Sequence, residues 1–362
     1  MKNLFKLIGI IAFVAVIGFA VSATFTACGN DKNGNGGGGG GNGGGGTGGT
    51  GDTGGTGGTG DGGDVDNNWK WTIIADSTLG TDPIRAIAYG NNRFVAGGSN
   101  RIAYSDDGAS WTAVSVSGGW NSIAYGNGRW VAVGGFGTIA YSDDGASWTA
   151  VSSTNNPFGL VEIKAVAYGN GKFVAVSFAD KMAYSSNGAS WTAVEDSTLG
   201  TSAIRAVAYG NNRFVAGGGY GKMVYSSDGV SWTAVANSTF GTDIGVSDIE
   251  AIAYGSNRFV AVGYGKMAYS ADGISWTAVS NSTFDSTIKG IAYGNNRFVA
   301  GGMYGIIAYS ANGATWTAAG ESVLGTYDDH GYTSKAGIWA IAYGNNRFVA
   351  VGDNGRIAYA DW

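Results

Sequence analysis

The chain has 362 residues, with 67 Gly, 2 Pro, 15 Phe, 12 Trp and 19 Tyr, and a formal net charge of −5. After residue 27 the only Leu are Leu79, Leu160, Leu199 and Leu324, and the only Glu are Glu162, Glu195, Glu250 and Glu321, so the strongest helix formers are nearly missing and a helical protein is excluded. Val, Ile, Thr and aromatics replace them, as a half-buried pleated surface prefers, and the acidic balance excludes a nucleic-acid partner held by a general phosphate-binding field.

Lys2 and Lys6 give the chain a basic start, and Leu7 to Val21 form an apolar run of 15 residues. That falls short of the ~20 residues a bilayer span needs, so residues 1–27 read as a secretory signal rather than an anchor helix. The run leads into Phe25-Thr26-Ala27-Cys28, which resembles the lipobox of bacterial lipoproteins, with Phe25 where Leu is usual. The resemblance implies cleavage before Cys28, lipidation of that thiol, and a chain held on a lipid bilayer of the bacterial cell envelope. Gly29 resembles the following residue of lipoproteins sent to the outer membrane, where the cell has two membranes. Cys28 is the only Cys, so no disulfide can form within the chain.

Residues 28–68 read as the lipidated Cys and a flexible tether, since positions 29–68 hold 22 Gly in 40 residues. At ~5–6 Å × √n its root-mean-square reach is about 35 Å. Its G-x-G-x-x-G matches neither follow a strand nor open a helix, so they are not phosphate loops.

Residues 69–362 repeat one unit seven times. AIAYGNNRFVAGG at 86–98 returns as SIAYGNGRWVAVG, AVAYGNGKFVAVS, AVAYGNNRFVAGG, AIAYGSNRFVAVG, GIAYGNNRFVAGG and AIAYGNNRFVAVG, with Tyr89, Tyr125, Tyr168, Tyr209, Tyr254, Tyr293 and Tyr343 in register. The spacings, 36 to 50 residues, match one four-stranded propeller blade. In the first unit the strands are Ile84–Tyr89, Arg93–Gly97, Arg101–Ser105 and Ser110–Val114, separated by Asn- and Gly-rich turns that tolerate positive φ. The last unit stops after its third strand, and Trp71-Thr72-Ile73-Ile74 has the pattern of a fourth. The expected fold is therefore an all-β, seven-bladed β-propeller of four-stranded blades, its ring closed by an N-terminal strand that completes the last blade.

At the third turn the units read YSDDGASW, YSDDGASW, YSSNGASW, YSSDGVSW, YSADGISW and YSANGATW, placing Asp107, Asp144, Asn187, Asp228, Asp272 and Asn312 in one position. These resemble the Asp-box, or BNR, repeats of sialidase-like propellers, though one residue shorter between acid and Trp. The resemblance implies a propeller without implying an activity. An amide can close an Asx-turn but cannot act as a general acid, so Asn187 and Asn312 point to a structural role for the whole set.

The resemblance also names what an active sialidase would need: an arginine cluster, a Tyr nucleophile with a Glu partner, and an Asp acid. Arg93, Arg129, Arg213, Arg258, Arg297 and Arg347, with Lys172, all occupy one hairpin position and are spread around the ring. Paired carboxylates for ordinary glycoside hydrolysis cannot be assigned either, so no enzyme activity is expected and no catalytic residue is named. The single His330, in Asp328-Asp329-His330, excludes a multi-histidine metal site, and no metal or cofactor is expected.

Specificity is expected in the loops that vary, those from strand two to three and from strand four to the next blade. They carry Phe136, Phe178, Tyr220, Tyr264 and Tyr304, with Trp120 and Trp339, while Arg85, Lys164, Arg205 and Lys289 begin inner strands and Arg101, Lys181, Lys222, Lys266 and Arg356 begin third strands. This set is either a basic, aromatic ligand rim or repeat consensus that shields blade edges. The functional expectation is a membrane-tethered, monomeric binding propeller for an unidentified glycan, anionic ligand or protein partner. Assembly scaffolds similar to the propeller factors of photosystem assembly, and a sialidase-like glycosidase, are the alternatives.

Overall fold

Each A-x-A-Y-G segment or its counterpart carries small and β-branched residues ahead of its Tyr, and each forms the innermost strand of an antiparallel sheet. The computed structural model describes residues 70–361 apart from 75, 76, 201, 321 and 330. Cys28, the segment before it, the whole tether region over residues 28–68 and His330 lie outside the described residues. Strands are lettered a to d outward from the axis. Blade 4 is typical: Ile204–Gly210, Arg213–Gly218, Met223–Ser226 and Thr233–Ala234 pair in that order. Its a–b hairpin turns on Asn211 and Asn212, both at positive φ (46° and 55°), as the turn chemistry predicts.

The seventh blade is shared between the two ends of the head. Ile338–Gly344, Arg347–Gly352 and Ile357–Asp361 supply three strands, and Thr72–Ile73 supplies the fourth, with Thr72 opposite Tyr359 and Ile73 opposite Ala358. The protein is thus a seven-bladed β-propeller closed as the sequence predicts. One departure lies between blades 1 and 2, where the shortest unit spacing leaves no loop. Thr112–Gly126 runs on as a single strand, outermost in blade 1 and innermost in blade 2.

Two contacts repeat around the ring. The Gly that ends each a strand lies against the Tyr ring of the next blade: Gly90 on Tyr125, Gly126 on Tyr168, Gly169 on Tyr209, Gly210 on Tyr254, Gly255 on Tyr293, Gly294 on Tyr343, and Gly344 back on Tyr89. A Cβ at any of these would overlap ring atoms. Each Tyr in turn tilts against the first aromatic of its own b strand, as Tyr254 does on Phe259 at 4.7 Å between centroids. The second contact is a charge-assisted hydrogen bond to a backbone carbonyl. Arg93 donates to the Asp144 carbonyl of blade 2 at 2.8 Å, Arg129 to Asn187 at 2.8 Å, Lys172 to Asp228 at 3.2 Å, Arg213 to Asp272, Arg258 to Asn312 at 2.5 Å, and Arg347 to Asp107 of blade 1 at 2.6 Å. The hairpin cations therefore hold neighbouring blades together instead of converging on a substrate.

The core lies between the sheets. Phe94, Trp130, Phe173, Phe214, Phe259, Phe298 and Phe348 have no exposed surface, and each buries on the order of 2–3 kcal/mol of transfer free energy. Gly255→Ala should lower stability by ~1–3 kcal/mol through overpacking against Tyr293, read as a fall in the urea midpoint. Gly119→Ala, where a Cβ meets nothing within 4 Å, should leave the midpoint almost unchanged. Equal midpoints for the two variants would refute the junction as a tight contact.

Candidate functional site

The two faces of the disc are built differently. One carries the a–b hairpins and the c–d turns, and there the acid or amide of each of the six boxes has its donors, while of the box tryptophans Trp232 alone has an indole N–H buried without a partner. In the first, Asp107 Oδ1 accepts from the N–H groups of Ala109 and Ser110 at 2.8 and 2.7 Å and from the Ser105 hydroxyl at 2.9 Å. Asn187 and Asn312 accept the same pair of backbone donors with their amide oxygens at 2.9–3.0 Å, so the turn forms without a carboxylate. Trp111, Trp191, Trp232, Trp276 and Trp316 are buried behind the boxes. Burial raises the Asp107 carboxyl, but the Ser110 and Ala109 N–H groups and the serine hydroxyls outweigh it and hold the group at about 2. At Asp144 the Ser147 N–H is the largest influence, and the result is again about 2.

The opposite face carries the b–c turns and the d–a loops, and its centre is a ring with one residue from each blade. The residue just before A-x-A-Y-G or its counterpart is Arg85, Asn121, Lys164, Arg205, Glu250, Lys289 and Trp339 in blade order. In blades 2 to 7 this residue falls at a break in the a–b register, so that the pairing jumps, as from Ile204 opposite Gly218 to Ala206 opposite Gly217. An extra residue of this kind re-aims a side chain out of the pleat. Six blades spend a bulge on the same position, and the side chains there meet.

The ring contacts run from blade to blade. Asn121 donates from Nδ2 to Glu162 Oε1 at 3.0 Å, and Lys164 Nζ pairs with the same oxygen at 2.8 Å. Arg205 pairs with Asp248 at 2.8 Å, and Asp248 also accepts the Tyr220 N–H at 3.1 Å. Lys289 Nζ lies 3.8 Å from Glu250 Oε2, which has no hydrogen-bond partner. Lys289 and Arg85 both approach the Trp339 ring, at 5.5 and 5.6 Å, while the Trp339 indole donates to Asp353 at 2.6 Å. Phe178 lies 5.2 Å from Lys164 and 5.8 Å from Arg205. Burial pushes the Glu250 carboxyl up against the pull of Lys289 and Arg205, and burial pushes the Lys289 ammonium down against Glu250, so both partners resist charging. The Lys164 ammonium is lowered, first by burial, with Glu162 opposing.

The structure revises several members of the expected rim. Trp120 is 1% exposed because the continuous strand through blades 1 and 2 turns it inward, its indole bonded to the Val116 carbonyl at 3.1 Å. Lys164 is likewise 1% exposed and belongs to the floor of the ring. Lys222 donates to the Leu199 carbonyl at 2.9 Å and Lys266 to the Phe240 carbonyl at 2.6 Å, so each ties down the loop that leads into its own blade. Arg85, Arg205 and Trp339 are half-buried in the ring. Phe136, Phe178, Tyr220, Tyr264 and Tyr304 are exposed, between 44% and 81%. The sequence reading passed over Asn121 and the pairing of Glu250 with Lys289. Aligning the seven units one residue earlier would have found them, as a column of mostly charged, mutually different residues beside nearly invariant ones.

Among the exposed aromatics, Phe136, Tyr220 and Tyr304 have φ of 53°, 58° and 62°. That left-handed region is strained for a bulky side chain. The equivalent residue of blade 7 is Asn354, at 53°, a residue type that adopts it readily. Among the described residues ten large apolar side chains are exposed, and only Ile73 lies off the b–c and d–a face; the loop residues Leu160, Ile244, Val246 and Tyr332 complete the set.

No protein-family model matches the chain, and no curated protein matches it in sequence. Solved structures share its fold. YCF48 from Cyanidioschyzon merolae superposes with a TM-score of 0.60 at 17% identity, covering 80% of this chain and 98% of its own. A structure of YCF48 bound to D1 peptide gives 0.59 at 16% identity, with 81% and 97% covered. Virginiamycin B lyase from Staphylococcus aureus gives 0.66 at 10% identity, with 81% and 99% covered. At these identities the likeness is one of fold, the β-propeller.

The boxes generate a pH prediction. Asp107 and Asp144 fall from an ordinary 3.8 to about 2 on folding. A depressed carboxyl stabilises the fold above its unfolded pKa and loses that contribution as pH falls through the folded one, so these boxes weaken between pH ~4 and ~2. Asp107→Asn with Asp144→Asn should move the acid-unfolding midpoint to lower pH and change stability at pH 7 little. An unmoved acid midpoint would show that other carboxylates govern acid unfolding.

Proposed function

We propose that this protein is an exported lipoprotein, anchored through Cys28 and carried on a tether over residues 28–68, whose propeller head at 69–362 is a non-catalytic docking platform for a protein partner. The Asp-box-like turns serve the scaffold, and the b–c and d–a face serves recognition. The observation that carries this reading is the segregation of exposed apolar side chains: nine of ten lie on one face, around a ring of buried charge. Exposed apolar groups concentrated on one surface mark interaction sites, and aromatics supply anchor area at small conformational cost. Three of those aromatics are held in a left-handed backbone that costs on the order of 1 kcal/mol each, although the repeat has Asn available for the position. A residue kept exposed at that cost is selected for what it touches. The solved complex of a like-folded propeller with a peptide supports a polypeptide ligand.

The test is a triple variant, Phe136→Asn, Tyr220→Asn and Tyr304→Asn. Relief of strain should hold or raise the unfolding midpoint, by on the order of 1 kcal/mol per site, while cross-linked capture of envelope proteins falls. Undiminished capture, or glycan-array binding with no protein captured, would overturn the docking reading.

A further inference from the structure

The charges at the centre of this face are unevenly paired. Four of its seven members are cations: Arg85, Lys164, Arg205 and Lys289. Three acids lie against them, Glu162 on Lys164, Asp248 on Arg205 and Glu250 near Lys289. Asp353 meets the Trp339 indole and the Gly337 N–H, not a cation. Arg85 pairs with no acid among the described residues, and its Nε is buried without a hydrogen-bond partner. With Asp353 the cluster sets four acids against four cations, and the cation left without an acid is Arg85, which flanks the Trp339 ring together with Lys289.

Glu250 is the second irregularity. It is 4% exposed, it sits on a bulge like its counterparts, and its Oε2 has no hydrogen-bond partner although Lys289 Nζ is 3.8 Å away. An ion pair at that separation in a buried setting leaves the Glu250 carboxylate poorly compensated. The charged groups that act on Glu250 are Lys289 of blade 6, Arg205 of blade 4, Lys164 of blade 3 and Asp248 of the loop into its own blade. A second anion arriving beside Lys289 competes with Glu250 for that ammonium.

We propose that the ring seats one carboxylate of the docked partner, between Arg85 and Lys289 against the Trp339 indole, and that Glu250 takes up a proton as the carboxylate binds. Because the cluster is balanced, a monoanion that arrives with one proton leaves its net charge unchanged, and a dianion overshoots it. Arg85 gains the acceptor it lacks, and charge-assisted bonds of this kind are the strong ones. Glu250, relieved of Lys289, is neutralised by the proton and becomes a donor. No covalent step is involved: one proton passes from solvent to Glu250, and one carboxylate passes from solvent to the ring. Burial already pushes the Glu250 carboxyl upward, so the added proton is available near neutral pH. Because binding and protonation are reciprocal, affinity rises as pH falls, by at most about tenfold per pH unit for one proton, and levels off once free Glu250 is itself protonated. Lys289, whose ammonium is pushed down by burial, adds its own proton uptake only at more alkaline pH.

This inference rests on the docking reading of the face, yet its probe is independent of any partner. Acetate is titrated calorimetrically into the purified full-length chain between pH 6 and 8, in buffers of different ionisation enthalpy, with inorganic phosphate alongside. Acetate should bind with net proton uptake and bind more tightly at pH 6 than at pH 8. Glu250→Gln should retain acetate binding with a flat pH profile, and Arg85→Gln should weaken binding at least tenfold with the fold intact by thermal unfolding. A short peptide with a free C-terminus should compete with acetate, and a C-terminally amidated peptide carrying an Asp should compete if a side-chain carboxylate fits. No acetate binding at pH 6, phosphate bound more tightly than acetate at pH 8, or an unaltered pH profile in Glu250→Gln would each overturn the proposal. Acetate bound as described while the triple aromatic variant captures partners unchanged removes the docking reading and keeps the carboxylate site. The converse result removes the site alone.

Discussion

The structure depends on a contact between a missing side chain and an aromatic ring. Seven times, the Gly that ends an inner strand leaves room for the Tyr of the next blade, and Gly344 on Tyr89 returns the series to its start. The contact sets the distance at which neighbouring blades approach, and because it closes on itself no blade is left with an open inner edge. It also fixes which face is constant. The hairpin that carries the Gly carries the Arg or Lys that reaches the next box carbonyl, so packing and hydrogen bonding at one junction are written in the same ten residues. That face has no freedom to diversify. The loops of the other face make none of these contacts, and variation accumulates there.

Within that variable face depth matters more than position. Cations at the third-strand starts, such as Lys222 and Lys266, look equivalent in sequence to those at the inner-strand starts. Their environments separate them. The former meet loop carbonyls near the surface, where a hydrogen bond anchors a connection. The latter project from bulges toward the axis, where seven strands converge and water is displaced, so their charges act on one another. A bulge in six of the seven blades, repeated around the axis, gathers residues separated by some 40 positions of sequence into one electrostatic unit.

The architecture was legible in the sequence because its determinants are periodic and local. The Tyr spacing predicts the blades, Asn-Asn turns predict the hairpins, and Trp71-Thr72-Ile73-Ile74 predicts the closing strand, all confirmed by the register. The exposed aromatics were legible too, since Phe136, Tyr220 and Tyr304 occupy loops that a period places on one face. Burial was not. Trp120 looks like a loop residue, and only the fusion of two blades through one strand turns it into the core. Lys164 looks like a rim cation, but its depth follows from a bulge, which leaves no mark on composition. The pairing of Glu250 with Lys289 joins units whose spacing says nothing about which side chains share the axis.

The distribution of unfavourable terms supports the division of labour between faces. On the hairpin face the left-handed positions are mostly Asn, and the box acids have full sets of donors. On the opposite face three bulky aromatics hold positive φ, a buried carboxylate oxygen lacks a donor, and a buried guanidinium nitrogen lacks an acceptor. Each of these costs on the order of 1–3 kcal/mol when left uncompensated, and the same repeat supplies cheaper residues for some of them. The hairpin face is not free of such terms, since the Trp232 indole N–H is buried there without a partner, but its backbone strain falls on residues that tolerate it. On the proposed docking reading the strain of an exposed aromatic is offset when its ring is buried against a partner, and the unpartnered donor and acceptor are satisfied when a ligand reaches the axis. The free protein is, on that reading, the less complete of two states.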